Sequence, residues 1–116
     1  MARYDHLPIY KAAMDMTVYL EQIVCHFGRY HKYTIGSELR TLSRQVVILI
    51  IRANNAQNKE LDLETLLEKL EEMKILFRIA KEVKAFNNFH SFEVSLRHLD
   101  SVTRQCVGWL KSQKKK

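Results

Sequence analysis

The stretch from Asp62 to Lys81, DLETLLEKLEEMKILFRIAK, decides the fold class. Leu63, Leu66, Leu70, Met73, Phe77 and Ala80 recur three or four residues apart, the spacing that puts side chains on one stripe of an α-helix. Glu, Leu and Lys fill most of the other positions, and no Gly or Pro breaks the run. All three are good helix formers. Asp62 is the expected N-cap, because its carboxylate can accept from the free N–H groups of a first turn.

The same period recurs on both sides of this helix. Upstream, Leu39, Leu42, Val46, Leu49 or Ile50, and Ala53 mark a second helix, with Ser37 as N-cap, Glu38 in an acidic first turn, and a stop between Asn54 and Asn58. Before it, Ile9, Ala13, Met16, Leu20, Ile23, Val24 and Phe27 mark a first helix, opened by Pro8 and ended by Gly28. Downstream, FNNFH from Phe86 to His90 interrupts the pattern and Ser91 caps a fourth helix. Its stripe is Phe92, Leu96, Leu99, Val102, Cys106 and Trp109 or Leu110, and it should end near Lys111. Four amphipathic helices on short connections predict a single all-α domain over residues 1–112. The expected architecture is an antiparallel up-down-up-down four-helix bundle, with a basic disordered tail over 113–116.

Composition agrees with one core. The 116 residues are 47% hydrophobic and 28% charged, with only three Gly and one Pro; that balance buries a core and leaves long stretches free of backbone breakers. Nineteen Lys and Arg against 13 Asp and Glu give a formal charge of +6, which suits a polyanionic partner. The opening MARYDHLPIYK has no apolar leader, and the longest apolar run, Val46 to Ile51, falls far short of the roughly 20 residues of a membrane span. A cytoplasmic protein with no membrane partner is expected. Cys25 and Cys106 fall late in the first and fourth helices, so antiparallel packing keeps them at opposite ends and unbridged. Both read as small buried apolar residues.

Two kinds of surface stand apart from the core stripes. On the third helix, Lys74, Arg78 and Lys81 form a flank, while Glu64, Glu68, Glu71, Glu72 and Glu82 take the rest of the outer arc. That flank reads either as a row for phosphates or as a solvated edge whose stems cover the core. On the second helix, Arg40 and Arg44 share a face with Val47, Ile48 and Ile51, and Ile75 and Ile79 lie off the stripe of the third. Such apolar surface fits self-association or a protein partner; the alternative is a thick core that surrounds the second helix. The segment Arg29–Tyr30–His31–Lys32–Tyr33 alternates cations with rings, a mixture that can hold phosphates and stack bases. Tyr30 and Tyr33 could equally close the end of the core with their hydroxyls wet.

Catalytic and metal-binding patterns are sparse. The chain contains no H-E-x-x-H, no C-x-x-C, no Walker loop and no Glu-x-x-His pair of the di-iron type. Its five histidines are scattered. Cys25 and His26 are adjacent, so on a helix their side chains diverge by about 100°. No catalysis, cofactor, metal or small-molecule substrate is expected.

The motifs together resemble a known family. FGRYHKYTIGSELR from Phe27 to Arg40, KILFRIAK from Lys74 to Lys81 and GWLK from Gly108 to Lys111 are similar in order and spacing to the accessory variability determinant proteins of diversity-generating retroelements. These are relatives of the four-helix proteins encoded by intervening sequences in bacterial large-subunit ribosomal RNA genes. The likeness spans nearly the whole chain and departs at Gly28, where relatives carry Pro. It implies a basic, barrel-like homopentamer, without catalytic activity, that binds the element's reverse transcriptase and its template RNA and supports mutagenic reverse transcription. The family's basic positions fall on Lys74 and Arg78, and its late basic position before the Gly–Trp pair falls on Arg104. The nucleic-acid surface expected from the residues and the resemblance together comprises Lys74, Arg78, Lys81, Arg40, Arg44, Arg104, Arg29 and Lys32. The expected subunit interface comprises Val47, Ile48, Ile51, Ile75 and Ile79. Two alternatives remain at this point: the intervening-sequence sister family, and an adaptor that binds protein only.

Overall fold

Every apolar stripe becomes a helix. The computed structural model describes residues 3–115 and contains α1 (Pro8–Cys25), α2 (Arg29–Tyr33), α3 (Ile35–Asn55), α4 (Glu60–Glu82) and α5 (Phe89–Lys114). No strand occurs among the described residues. The four long helices form a bundle 46 Å in its longest dimension, in which α1 packs on α3 and α5, and α4 packs on the same two. Their relative directions follow from contacts between helix ends. Asn54 Nδ2, late in α3, donates to the Arg3 carbonyl just before α1, and Cys106 Sγ, late in α5, lies 3.6 Å from the Leu63 carbonyl oxygen early in α4. Consecutive long helices therefore run antiparallel.

The core is largely the set the periodicity selects, except that Ile23 and Leu96 are only partly buried at its edge and that Ala85 and Phe86, outside every stripe, join it. Met16, Leu20, Leu39, Ile50, Leu63, Leu66, Leu70, Met73, Phe77 and Leu99 are all essentially inaccessible to solvent. On α3 both Leu49 and Ile50 are buried, and on α5 the buried residue is Leu110, with Trp109 packed against the core edge. Burying a side chain of this size contributes about 1.5–3 kcal/mol, so the stripes dominate the energetics of folding. Small residues let the helices approach, and the buried hydroxyls among them are satisfied: Ser43 Oγ donates to the Arg40 carbonyl and Ser95 Oγ to the Ser91 carbonyl.

Helix ends differ from expectation, each for a local reason. α1 stops at Cys25, three residues before Gly28, because the N–H groups of His26 and Phe27 fold back onto the Ile23 and Val24 carbonyls. Gly28, at φ −55° and ψ 153°, precedes α2 in an extended conformation open to any residue, proline included. The Arg29–Tyr33 segment is a helical turn; Thr34 Oγ1 donates to the Tyr30 carbonyl, and the chain bends at Thr34 directly into α3. Ser37 thus lies inside α3 and caps nothing. Asp62 lies in the first turn of α4, whose N-cap position is Lys59. The cap of α5 is Asn88, three residues before Ser91: its Oδ1 accepts from the Ser91 N–H at 2.8 Å and from the Ser91 hydroxyl at 2.9 Å. α5 runs on to Lys114, so the expected tail is helical over Gln113 and Lys114, and Lys116 lies outside the described residues. Cys106 is buried as expected, whereas Cys25 is exposed, because it stands at the helix terminus on the solvent side; both thiols are free.

Two close-packed junctions hold the ends. Where α1, α2 and α3 meet, a Cβ on Gly36 would stand 2.7 Å from Val24 Cγ1 and 2.9 Å from the His31 carbonyl oxygen, so only glycine fits. Between α3 and α4, Lys59 Nζ donates to the carbonyls of Ala53, Asn54 and Ala56 at 3.1, 2.8 and 2.8 Å, satisfying the C-terminal acceptors of α3.

Candidate functional site

The eight cations expected to meet nucleic acid do not share one surface. Lys74, Arg78 and Lys81 are exposed on α4, on the flank turned toward α5, as the helical wheel places them. Arg104 is exposed on α5. Arg40 and Arg44 lie on the side of α3 next to α1, where Arg44 pairs with Glu21 across the two helices. Arg29 and Lys32 lie on α2, at the end of the bundle where α4 stops and α5 begins.

Several cations gather at that end. Arg29, Lys32, Arg78, Lys81 and Lys84 share this end with the carboxylates of Glu38, Glu82 and Glu93. None of these five cations makes an ion pair among the described residues, where the pairs are Arg3–Asp5, Lys11–Asp15 and Arg44–Glu21. At the opposite end Arg3 and Lys11 are paired and Lys59 is consumed by carbonyls, while Arg52, Lys111, Lys114 and Lys115 are exposed and, like the five above, make no ion pair among the described residues. Charged head groups free of carboxylate partners can exchange solvent ions for phosphates without first breaking an ion pair.

Aromatic rings accompany the charge. Phe86 sits at the hub of an edge-to-face cluster, with ring centroids 5.4 Å from Phe27, 6.3 Å from Phe77 and 5.7 Å from Phe92. This cluster closes the end of the core. Tyr30 and Tyr33 therefore have no such task, and they are 75% and 66% exposed. Phe89 is also exposed, at 59%, and Lys81 Nζ lies 5.2 Å from the Phe92 ring centroid and 5.9 Å from that of Phe89. Tyr30 and Tyr33 border a depression with Ile79 and Val83, whereas Phe89 stands with Lys81 and Lys84 on the side of α5; lysines beside a solvent-facing ring can hold phosphates and stack unpaired bases. Lys84 and Phe89 escape a periodicity argument because both stand outside the helical stripes; the signal was the pairing of two Phe around two Asn in FNNFH.

The apolar residues off the core stripes fall on two separate faces. Ile75 and Ile79 are 59% and 45% exposed, and with Leu76, Val83, Tyr30 and Tyr33 they line shallow depressions between α4 and the α2–α3 junction. Gln45 borders one of these depressions, and its Oε1 is buried with no hydrogen-bond partner. Ile48 is 54% exposed and Val18 51%, on the opposite side of α3 where α1 lies alongside; Val47 and Ile51 are half-buried there. The thick core that would surround α3 is absent on this side.

Other chemistry is limited. Burial pushes the Cys106 thiol up to about 11, which makes it a poor nucleophile. Among the described residues, no group of three or more His, Cys, Asp and Glu gathers in a way that could hold a metal ion, and no helix is long and apolar enough to cross a membrane. Compared with known proteins, the chain matches no family model, and no curated protein matches it significantly.

Proposed function

We propose that this protein is a non-catalytic, RNA-binding accessory protein of a diversity-generating retroelement, acting beside the element's reverse transcriptase. The observation that carries the reading is the cluster of unpaired cations and exposed rings at the α2, α4 and α5 end of the bundle. Lys74, Arg78, Lys81, Arg29 and Lys32 neutralise phosphates and release counterions, with little readout of base edges. The resemblance of Phe27–Arg40, Lys74–Lys81 and Gly108–Lys111 to the accessory variability determinant family supplies the biological setting. Template RNA and reverse transcriptase are the partners it implies, in the cytoplasm.

Self-association completes the proposal. Two unlike apolar faces on one subunit suit a heterologous ring, in which the Val18 and Ile48 face of one copy covers the Ile75 and Ile79 face of the next. A homopentamer is the ring the family resemblance implies, and it would repeat each basic end around the assembly.

A variant carrying Lys74→Glu and Arg78→Glu tests the RNA site. Both residues are exposed, so the helical circular-dichroism signal should persist while RNA binding is lost. RNA binding unchanged by that double reversal would remove the proposed surface. The same exposed apolar faces favour a second reading, an adaptor that binds protein only, for which association would be insensitive to salt.

A further inference from the structure

The turn between α4 and α5 is built in an unusual way. α4 ends with the Ala85 N–H bonded to the Ala80 carbonyl at 2.8 Å and the Lys84 N–H bonded to the Lys81 carbonyl at 3.1 Å, a Schellman arrangement that puts Lys84 at φ 61°. That left-handed position is the usual place of glycine, because a Cβ is disfavoured there. A lysine stands at it instead. The chain then buries Ala85 and Phe86 and returns through Asn87 and Asn88 to the exposed Phe89.

The result is a pocket of about 470 Å³ lined by Lys81, Lys84, Phe86, Asn87, Phe89 and Phe92, among others, with no carboxylate in its wall. Its size falls within the range of about 300–1,000 Å³ typical of ligand sites. A bare phosphate would leave the exposed Phe89 ring unused, and an apolar ligand would leave the Lys84 ammonium unanswered, that of Lys81 already resting over the Phe89 and Phe92 rings. A nucleotide uses both, offering a flat π-face to the ring and a phosphate to the lysines, while the Asn87 amide can reach a base edge.

We propose that this pocket binds one unpaired nucleotide of an RNA, its base stacked on Phe89 and its phosphate held by Lys81 and Lys84. The proposal rests on the RNA-binding reading and adds selectivity to it, since a base inside a duplex presents no free face. Lysine at position 84 gives up backbone stability that glycine would restore, in return for a cation at the pocket rim.

The test measures affinity by fluorescence anisotropy for a single-stranded RNA and a fully paired RNA of equal length, with wild type, Phe89→Leu and Lys84→Gly. Phe89→Leu keeps the apolar contact with Phe92 but removes the flat face, and should weaken single-strand binding on the order of 10-fold while sparing the duplex. Lys84→Gly should weaken single-strand binding at least about 3-fold while its melting midpoint rises by about 4 °C, so lost affinity cannot be ascribed to unfolding. Wild-type affinity of either variant for the single strand, or equal losses on both RNAs with Phe89→Leu, would overturn the pocket and leave general RNA binding standing. Failure of the wild type to bind either RNA would overturn both.

Discussion

Gly36 and Gly108 carry the same substitution to opposite outcomes. Both lie within helices, where Ala in place of Gly gains about 0.5–1 kcal/mol by lowering the backbone entropy lost on folding. At Gly108 an added Cβ meets nothing within 4 Å, so Gly108→Ala should realise that gain. At Gly36 the Cβ would stand 2.7 Å from Val24 Cγ1, 2.9 Å from the His31 carbonyl oxygen and 3.3 Å from Phe27 Cδ2. Val24 is fully buried and the carbonyl belongs to the backbone of α2, so neither can turn aside without moving a helix. With two contacts under 3 Å the cost falls in the upper part of the range of about 1–3 kcal/mol typical of overpacking, about 2–3 kcal/mol, and a propensity gain of about 1 kcal/mol leaves a net loss of about 1–2 kcal/mol. Unfolding entropy of about 2.1 cal/mol/K per residue amounts to roughly 0.24 kcal/mol/K for 116 residues. Thermal unfolding followed by far-ultraviolet circular dichroism should then place Gly36→Ala about 4–8 °C below wild type and Gly108→Ala about 2–4 °C above it. A Gly36→Ala protein as stable as wild type would refute the close packing of α2 against α1 and α3.

Helix ends and thiols give three further expected outcomes. Lys59→Met keeps the stem and removes the three charge-assisted bonds to the end of α3, and should cost about 1.5–3 kcal/mol in a urea titration with unchanged slope. Asn88→Ala deletes the cap of α5 and should cost about 1 kcal/mol, with Asn88→Ser recovering most of it. A thiol-specific reagent at neutral pH should label Cys25 alone in the folded protein, because Cys106 is buried with its thiol raised to about 11, and should label both once the chain is unfolded in urea; rapid labelling of Cys106 in the native state would contradict the packing of α5 on α4.

What the sequence made legible was whatever a period of 3.6 encodes. Leu63 through Ala80 read directly as a buried stripe, and Lys74, Arg78 and Lys81 as an exposed flank, because spacing alone fixes the face of a helix. Junctions were less legible, since their geometry depends on partners distant in sequence. Thr34 and Gly36 look like loop residues until the hydroxyl of one is seen to close α2 and the missing Cβ of the other to admit Val24 and His31. Lys59 reads as a linker cation and proves to be a cap. Asn88, three residues before Ser91, meets the usual requirement for an N-cap as well as Ser91 does, and only the direction of the incoming chain decides between them. For the candidate site, the residue types were visible but not their grouping: Arg40 and Arg44 separate from Lys74 and Arg78 because α3 and α4 turn their outer faces in different directions, whereas Arg29 and Lys32 reach the same end as Lys84 only because the bundle brings the end of α4 to α2.

The proposed function stands or falls on whether the unpaired cations at this end of the bundle and along the adjoining flank of α4 bind RNA phosphates together. The deciding measurement is the affinity of the purified protein for a single-stranded RNA across a salt series, with duplex DNA of equal length alongside. If Lys74, Arg78, Lys81, Lys84, Arg29 and Lys32 all engage a single strand, the logarithm of the association constant should fall against the logarithm of salt with a slope of about −4, and the RNA should be preferred over the duplex DNA. A flat salt dependence, or no binding to RNA, would contradict the claim and assign the working surface to the apolar faces.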